Sequence, residues 1–110
     1  MPGEWTFLTN HGHVLVVVST DPDARLREIA ARVGITERAA QLIVRDLETG
    51  GYLSKQRIGR RNRYVVHHHR RFRHPAEAHR SIDALLDIFA GDTAREQAPG
   101  DRPSGRASTG

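Results

Sequence analysis

No cysteine occurs anywhere in this chain. That absence removes a disulfide framework, a thiolate metal site and a thiol nucleophile together. Aromatic residues are few, three Phe, two Tyr and one Trp, which is a poor supply for the stacking platforms that hold single-stranded nucleic acid. No apolar run approaches the roughly 18 residues that a membrane span requires, and the longest is Val14-Leu-Val-Val-Val18. The N-terminal Met-Pro-Gly-Glu-Trp has no signal-peptide pattern, so a cytoplasmic protein is the simplest expectation. There is no Gly-rich phosphate loop and no nucleophile with an evident base, so the sequence does not read as an enzyme and asks for no cofactor. Lysine is nearly missing as well: Lys55 stands against 16 arginines. A GC-rich genome accounts for that bias, although arginine also suits bidentate contacts with phosphate and guanine.

Acidic residues are scarce in one stretch only. Residues 51–80 carry nine Lys/Arg and the single acid Glu77, whereas residues 1–50 carry five Arg and seven acids. The formal net charge of +4 therefore hides a strongly basic middle third. A basic stripe on one element is the electrostatic footprint of a nucleic-acid binder. The plain alternative is a solvated hairpin kept soluble by arginine, which the shortage of nearby acids to pair with them disfavours.

What is present organises itself as one domain, as expected for 110 residues. Thr9 or Asn10 can cap a helix over residues 11–19, with Asp21-Pro-Asp23 turning the chain after it; the β-branched run inside could equally be a buried strand, and the cap favours helix. Leu26, Ile29, Ala30 and Val33 fall at i, i+3, i+4 and i+7, one apolar stripe of a second helix. Gly34 can end that helix in a left-handed conformation, and Thr36 can cap a third helix running to Gly50. A strand from Leu53 to Ile58, the connection Gly59-Arg-Arg-Asn62 and a strand over Arg63–Val66 form a hairpin, and Ala24–Leu26 can add a short third strand. Pro75 suits the first turn of a last helix, about 76–90, whose stripe is Ala78, Ile82, Leu85, Leu86 and Phe89. Residues 91–110, rich in Gly, Pro and Ser, are expected to be a disordered tail.

Two helices joined by a short turn can project the second into a DNA major groove. On the third helix, Ala40, Ile43, Val44 and Leu47 share a face that should pack on Ile29, Ala30, Val33 and Ile35. The opposite face then offers Glu37, Arg38, Gln41 and Arg45, with Leu42 at its edge. Arg and Gln are the side chains that pair bidentately with guanine and adenine. Thr36, at the helix N-terminus, can meet a phosphate. Lys55, Arg57, Arg60, Arg61 and Arg63 line the hairpin, with Arg60 and Arg61 at its tip. Seven histidines invite a metal site, but only His67 and His69 share a strand face, His74 and His79 miss the i, i+4 spacing of a helical pair, and no metal ligand is assigned.

The runs Leu26-Arg-Glu-Ile-Ala-Ala-Arg-Val-Gly-Ile-Thr-Glu-Arg38, Leu47-Glu-Thr-Gly-Gly-Tyr-Leu53 and Gly59-Arg-Arg-Asn-Arg-Tyr64 carry a resemblance. Over residues 6–90 the chain resembles a compact winged helix-turn-helix transcriptional regulator of the MarR-like kind. The resemblance implies a mainly α fold with a small β hairpin: a three-helix core, a wing and a C-terminal amphipathic helix. It implies sequence-specific binding of double-stranded DNA by a regulator, expected to be a repressor, with residues 36–50 as recognition helix and 59–63 as wing. A homodimer is expected, because one recognition helix reads only about four base pairs, with Ile82, Leu85, Leu86 and Phe89 as its interface. The chain departs from the family in Ala39 and Leu42, where polar residues are usual, and in lacking most of the long helical arms that enclose ligands. Two alternatives stand beside this reading: a module whose basic face meets an acidic protein, and a His-dependent metal or pH sensor.

Overall fold

A computed structural model describes residues 5–91. Four helices and one two-stranded antiparallel sheet follow each other as α1 (Asn10–Thr20), α2 (Leu26–Val33), α3 (Glu37–Thr49), β1 (Leu53–Ile58), β2 (Arg61–Val66) and α4 (Asp83–Phe89). The expected tail over 91–110 lies, apart from Gly91, outside the described residues. Among the described residues no helix is long and apolar enough to cross a membrane.

The ambiguous Val14–Val18 run is helical. Thr9 caps α1, its hydroxyl accepting from the Gly12 N–H at 3.2 Å. A helix apolar on most sides is stable when other elements surround it, and α1 packs against α2, α3, β2 and α4. Val14, Leu15 and Val18 are buried, and Val16 and Val17 pack half-buried on the same core.

Local capping sets the ends of α2 and α3. The Arg25 N–H donates to the Glu28 carboxylate at 2.8 Å, and that bond, helped by neighbouring arginines, holds the Glu28 carboxyl below its ordinary range. At the other end Gly34 sits at φ +85°, a left-handed conformation that costs a residue with a Cβ about 1–2 kcal/mol. The Ile35 N–H then reaches back to the Ala30 carbonyl at 3.0 Å, the bond of a Schellman-type end. Thr36 caps α3 by accepting from the Ala39 N–H at 3.0 Å. The same device closes α3 one residue before the expected Gly50: the Tyr52 N–H bonds the Leu47 carbonyl at 2.8 Å. Ala40, Ile43, Val44 and Leu47 are buried, with α2 packed against α3.

The hairpin differs from expectation at its tip. Ile58 pairs with Arg61 and Arg57 with Asn62, so the turn is Gly59–Arg60 alone, and Arg61 and Asn62 belong to β2. Gly59 takes φ +63°, which a two-residue hairpin turn needs at its first position. No third strand forms over 24–26, because Leu26 already belongs to α2. A single backbone bond, Tyr64 N–H to Pro22 carbonyl at 3.0 Å, lays that loop along the edge of β2.

The last helix is half as long as the periodicity suggests. Residues 75–79 are turns, and the chain before α4 folds back on itself. Phe72 N–H bonds the Arg80 carbonyl at 3.1 Å, Ile82 N–H the Arg70 carbonyl at 2.9 Å, and Asp83 N–H the His68 carbonyl at 3.1 Å. The Ile82 and Asp83 bonds occupy N–H groups that a continuous helix would have used, and Ala78 is on no helix. The Ser81 hydroxyl bonds the Asp83 carboxylate at the start of α4 and holds that carboxyl below its usual range. Ile82 and Leu86 are buried in the chain's own core, at 2% and 3% exposure. They therefore do not present an interface as expected. Leu85 and Phe89 are half-buried, and Ile88 beside them is 70% exposed.

Candidate nucleic-acid interface

Burying one face of α3 turns the other outward. Glu37, Arg38, Gln41, Leu42 and Arg45 are all exposed. Beside this face the loop Asp23–Leu26, α3 and the hairpin enclose an open cleft of about 570 Å³. Five cations line it, Arg25, Arg45, Lys55, Arg60 and Arg61, with Gln41, against the two acids Asp23 and Glu48. Tyr64 also lines the cleft, and its burial, then the Glu48 charge, push the phenol above its ordinary range, so it stays protonated.

The expected site residues divide into groups. Gln41, Arg45, Lys55, Arg60 and Arg61 meet at the cleft. Thr36, Glu37 and Arg38 lie outside it at the N-terminal end of α3. The Thr36 hydroxyl is already the acceptor of the helix cap, so only its O–H remains to donate to a phosphate. Arg57 and Arg63 lie on the strands but do not line the cleft. Successive strand residues alternate between faces, and the pairs Lys55–Tyr64 and Arg57–Asn62 put Lys55 and Arg57 on the face of buried Tyr64, with Arg61 and Arg63 on the other. The five hairpin cations are thus not one stripe.

Several are also tethered, two of them to carboxylates and two to carbonyls. Arg63 Nε lies 3.4 Å from an Asp23 carboxylate oxygen, and Lys55 Nζ lies 3.9 Å from Glu48. Arg61 donates to the Asp23 carbonyl at 3.2 Å, and Arg57 to the Gly59 carbonyl at 3.1 Å. Such exposed pairs hold side chains in place more than they stabilise the fold. By contrast, the side chains of Arg38, Arg45 and Arg60 make no hydrogen bond or ion pair with any described residue.

Arg25 is the residue that sequence reasoning missed. It precedes α2 and no binding motif marks it; the Tyr64–Pro22 backbone bond and the contacts of Arg61 and Arg63 with Asp23 bring its loop to the hairpin. The histidines do not assemble: among the described residues no group of three or more His, Cys, Asp or Glu is placed to hold a metal. His11 instead bonds Asp46 at 2.8 Å, tying α1 to α3 away from the cleft. No protein-family model matches the chain, and no curated protein matches it.

Proposed function

We propose that this protein is a winged helix-turn-helix regulator of the MarR-like kind that binds double-stranded DNA in a sequence-specific way and acts as a repressor. α3 enters the major groove, and the Gly59–Arg60 turn, as the wing, meets the backbone or the minor groove. The observation that carries the reading is the convergence of Arg25, Arg45 and Arg60, from a loop, a helix and a hairpin, on one cleft beside exposed Gln41. Cations gathered in one cleft from three parts of a chain raise the local potential that draws an anionic ligand. Phosphate contacts by Arg25, Arg45 and Arg60 would set the register, and Arg38 and Gln41 would read base edges.

Selection of bound sequences from a random duplex library tests this. Arg38→Ala and Gln41→Ala are expected to relax preference at one or two base positions, each bidentate pair discriminating by about 1–3 kcal/mol, while nonspecific affinity stays. Selection profiles identical to wild type for both variants would remove α3 from the interface.

The regulator acts as a homodimer, since one α3 reads too few base pairs for a useful operator. The patch that a second copy would cover is exposed Ile88 flanked by half-buried Leu85 and Phe89. Ile88→Asp is expected to give a folded monomer in sedimentation velocity. Wild type that sediments as a monomer at the highest soluble concentration would exclude the dimer.

A further inference from the structure

The cleft uses nothing from residues 67–74. That segment, His-His-His-Arg-Arg-Phe-Arg-His, contains no acid, and a stretch of this composition is ordinarily a solvated loop. Here it is pinned. His67 N–H bonds the Tyr52 carbonyl at 2.8 Å, and the Arg70 and His68 carbonyls accept from the start of α4. The Tyr52 hydroxyl donates to the Arg71 carbonyl, and Phe72 packs against the core. On this frame His69, Arg70, Arg71 and Arg73 surround a shallow bowl of about 640 Å³ at the C-terminal end of α3.

The three guanidiniums are held but not neutralised. Arg70 donates through Nε to the Gly50 carbonyl at 3.0 Å and lies over the Tyr52 ring, 6.0 Å from its centroid. Arg71 donates to the His79 carbonyl at 3.1 Å. Arg73 makes no hydrogen bond or ion pair with any described residue, and none of the three has a carboxylate within ion-pair distance among them. Arg70 has a structural task, since it satisfies a carbonyl at the negative end of α3. That task uses one of a guanidinium's five donors, and the carbonyl bonds leave the positive charges uncompensated.

We propose that this bowl is a second phosphate-binding surface, which holds the sugar–phosphate backbone of a DNA duplex beyond the stretch met by α3. The proposal rests on the duplex-binding reading and extends it. Guanidinium forks match phosphate oxygens bidentately, and a segment already ordered loses little freedom on binding. The segment also follows β2 directly, which at ~3.3 Å per residue puts it roughly 20 Å along the hairpin from the Gly59–Arg60 turn. Two backbone contacts that far apart suit an extended polyanion better than a compact acidic surface.

The test is a titration of the isotope-labelled chain with a short duplex of random sequence, read from backbone amide NMR shifts. Anisotropy binding of the same duplex to Arg73→Glu and Arg73→Lys accompanies it. Arg73 bonds nothing described, so both variants should fold. Amides in both 36–45 and 67–74 are expected to shift. Arg73→Glu should lose roughly tenfold in affinity and about one to two units of the log–log salt slope, and Arg73→Lys should lose far less. Shifts confined to residues 36–61, or unchanged affinity of Arg73→Glu, would overturn the bowl and leave the α3 reading intact. Shifts confined to 67–74 together with the Arg73→Glu loss would support the bowl and overturn the α3 reading. A duplex that moves neither set overturns both, and 67–74 amides that saturate with a poly-glutamate peptide while the duplex leaves them unmoved overturn the bowl alone.

Discussion

Replacing Arg25, Arg45 and Arg60 together with alanine is expected to lower affinity for duplex DNA of every sequence by about two orders of magnitude near 0.1 M salt, and to reduce the log–log salt slope by about two to three units. Each phosphate neutralised by a cation releases condensed counterions, so each contact removed subtracts about 0.9 from the slope. All three side chains are exposed and none belongs to the core, so melting temperature should stay close to wild type. The measurement is anisotropy of a labelled random duplex over a salt series, with circular dichroism melting as the folding control. A slope unchanged from wild type would show that these cations are ordinary solvated arginines. A slope near zero already in wild type, with tight binding to an acidic protein, would favour the interaction-module reading.

Ile29→Ala is expected to cost about 2–5 kcal/mol of folding stability. Ile29 is fully buried on α2, within the core cluster that includes Val14 and Val18 of α1 and Ile43 and Val44 of α3. Truncation leaves a cavity that helices already in contact refill only in part. Domains of this kind have about 5–15 kcal/mol in total, so the variant should be visibly unfolded under mild denaturant. Leu42→Ala on α3 is the control, because Leu42 is 48% exposed and an exposed substitution shifts stability by about 0.5 kcal/mol or less. Urea titrations that rank the two variants equally would mean that α2 does not pack as described. The comparison also bears on function, since a Leu42 facing outward belongs to the face proposed to enter the groove.

Much of this fold is legible because its signals are local. Gly34 and Thr36 act through hydrogen bonds to residues within one helical turn, so their types alone place the end of α2 and the start of α3, while the start of α1 was narrowed to Thr9 or Asn10. The Ile29–Val33 and Ala40–Leu47 stripes follow from helical geometry and need no knowledge of the partner. The hairpin was visible for the same reason, but its turn was not. Gly59 and Asn62 both tolerate turn conformations, and only the pairing of Ile58 with Arg61 chooses between a two-residue and a four-residue connection. That choice moves Arg61 from the tip into a strand, where it bonds the Asp23 carbonyl.

The C-terminal region shows the opposite case. Its apolar residues keep helical spacing from Ala78 to Phe89, and helical spacing is all that a sequence pattern can report. The competing partners of those N–H groups are the carbonyls of His68 and Arg70, residues whose own position depends on Tyr52 and the end of β2. The candidate site divides along the same line. Which residues of α3 face outward was determined by the sequence itself, through the angle each position subtends on a helix. That Arg25 joins them, that Asp23 restrains Arg61 and Arg63, and that Arg70, Arg71 and Arg73 gather at the end of α3 was decided only by tertiary structure. Those neighbours are brought together by backbone bonds and side-chain burial between segments far apart in the chain, which no local rule of spacing or capping encodes.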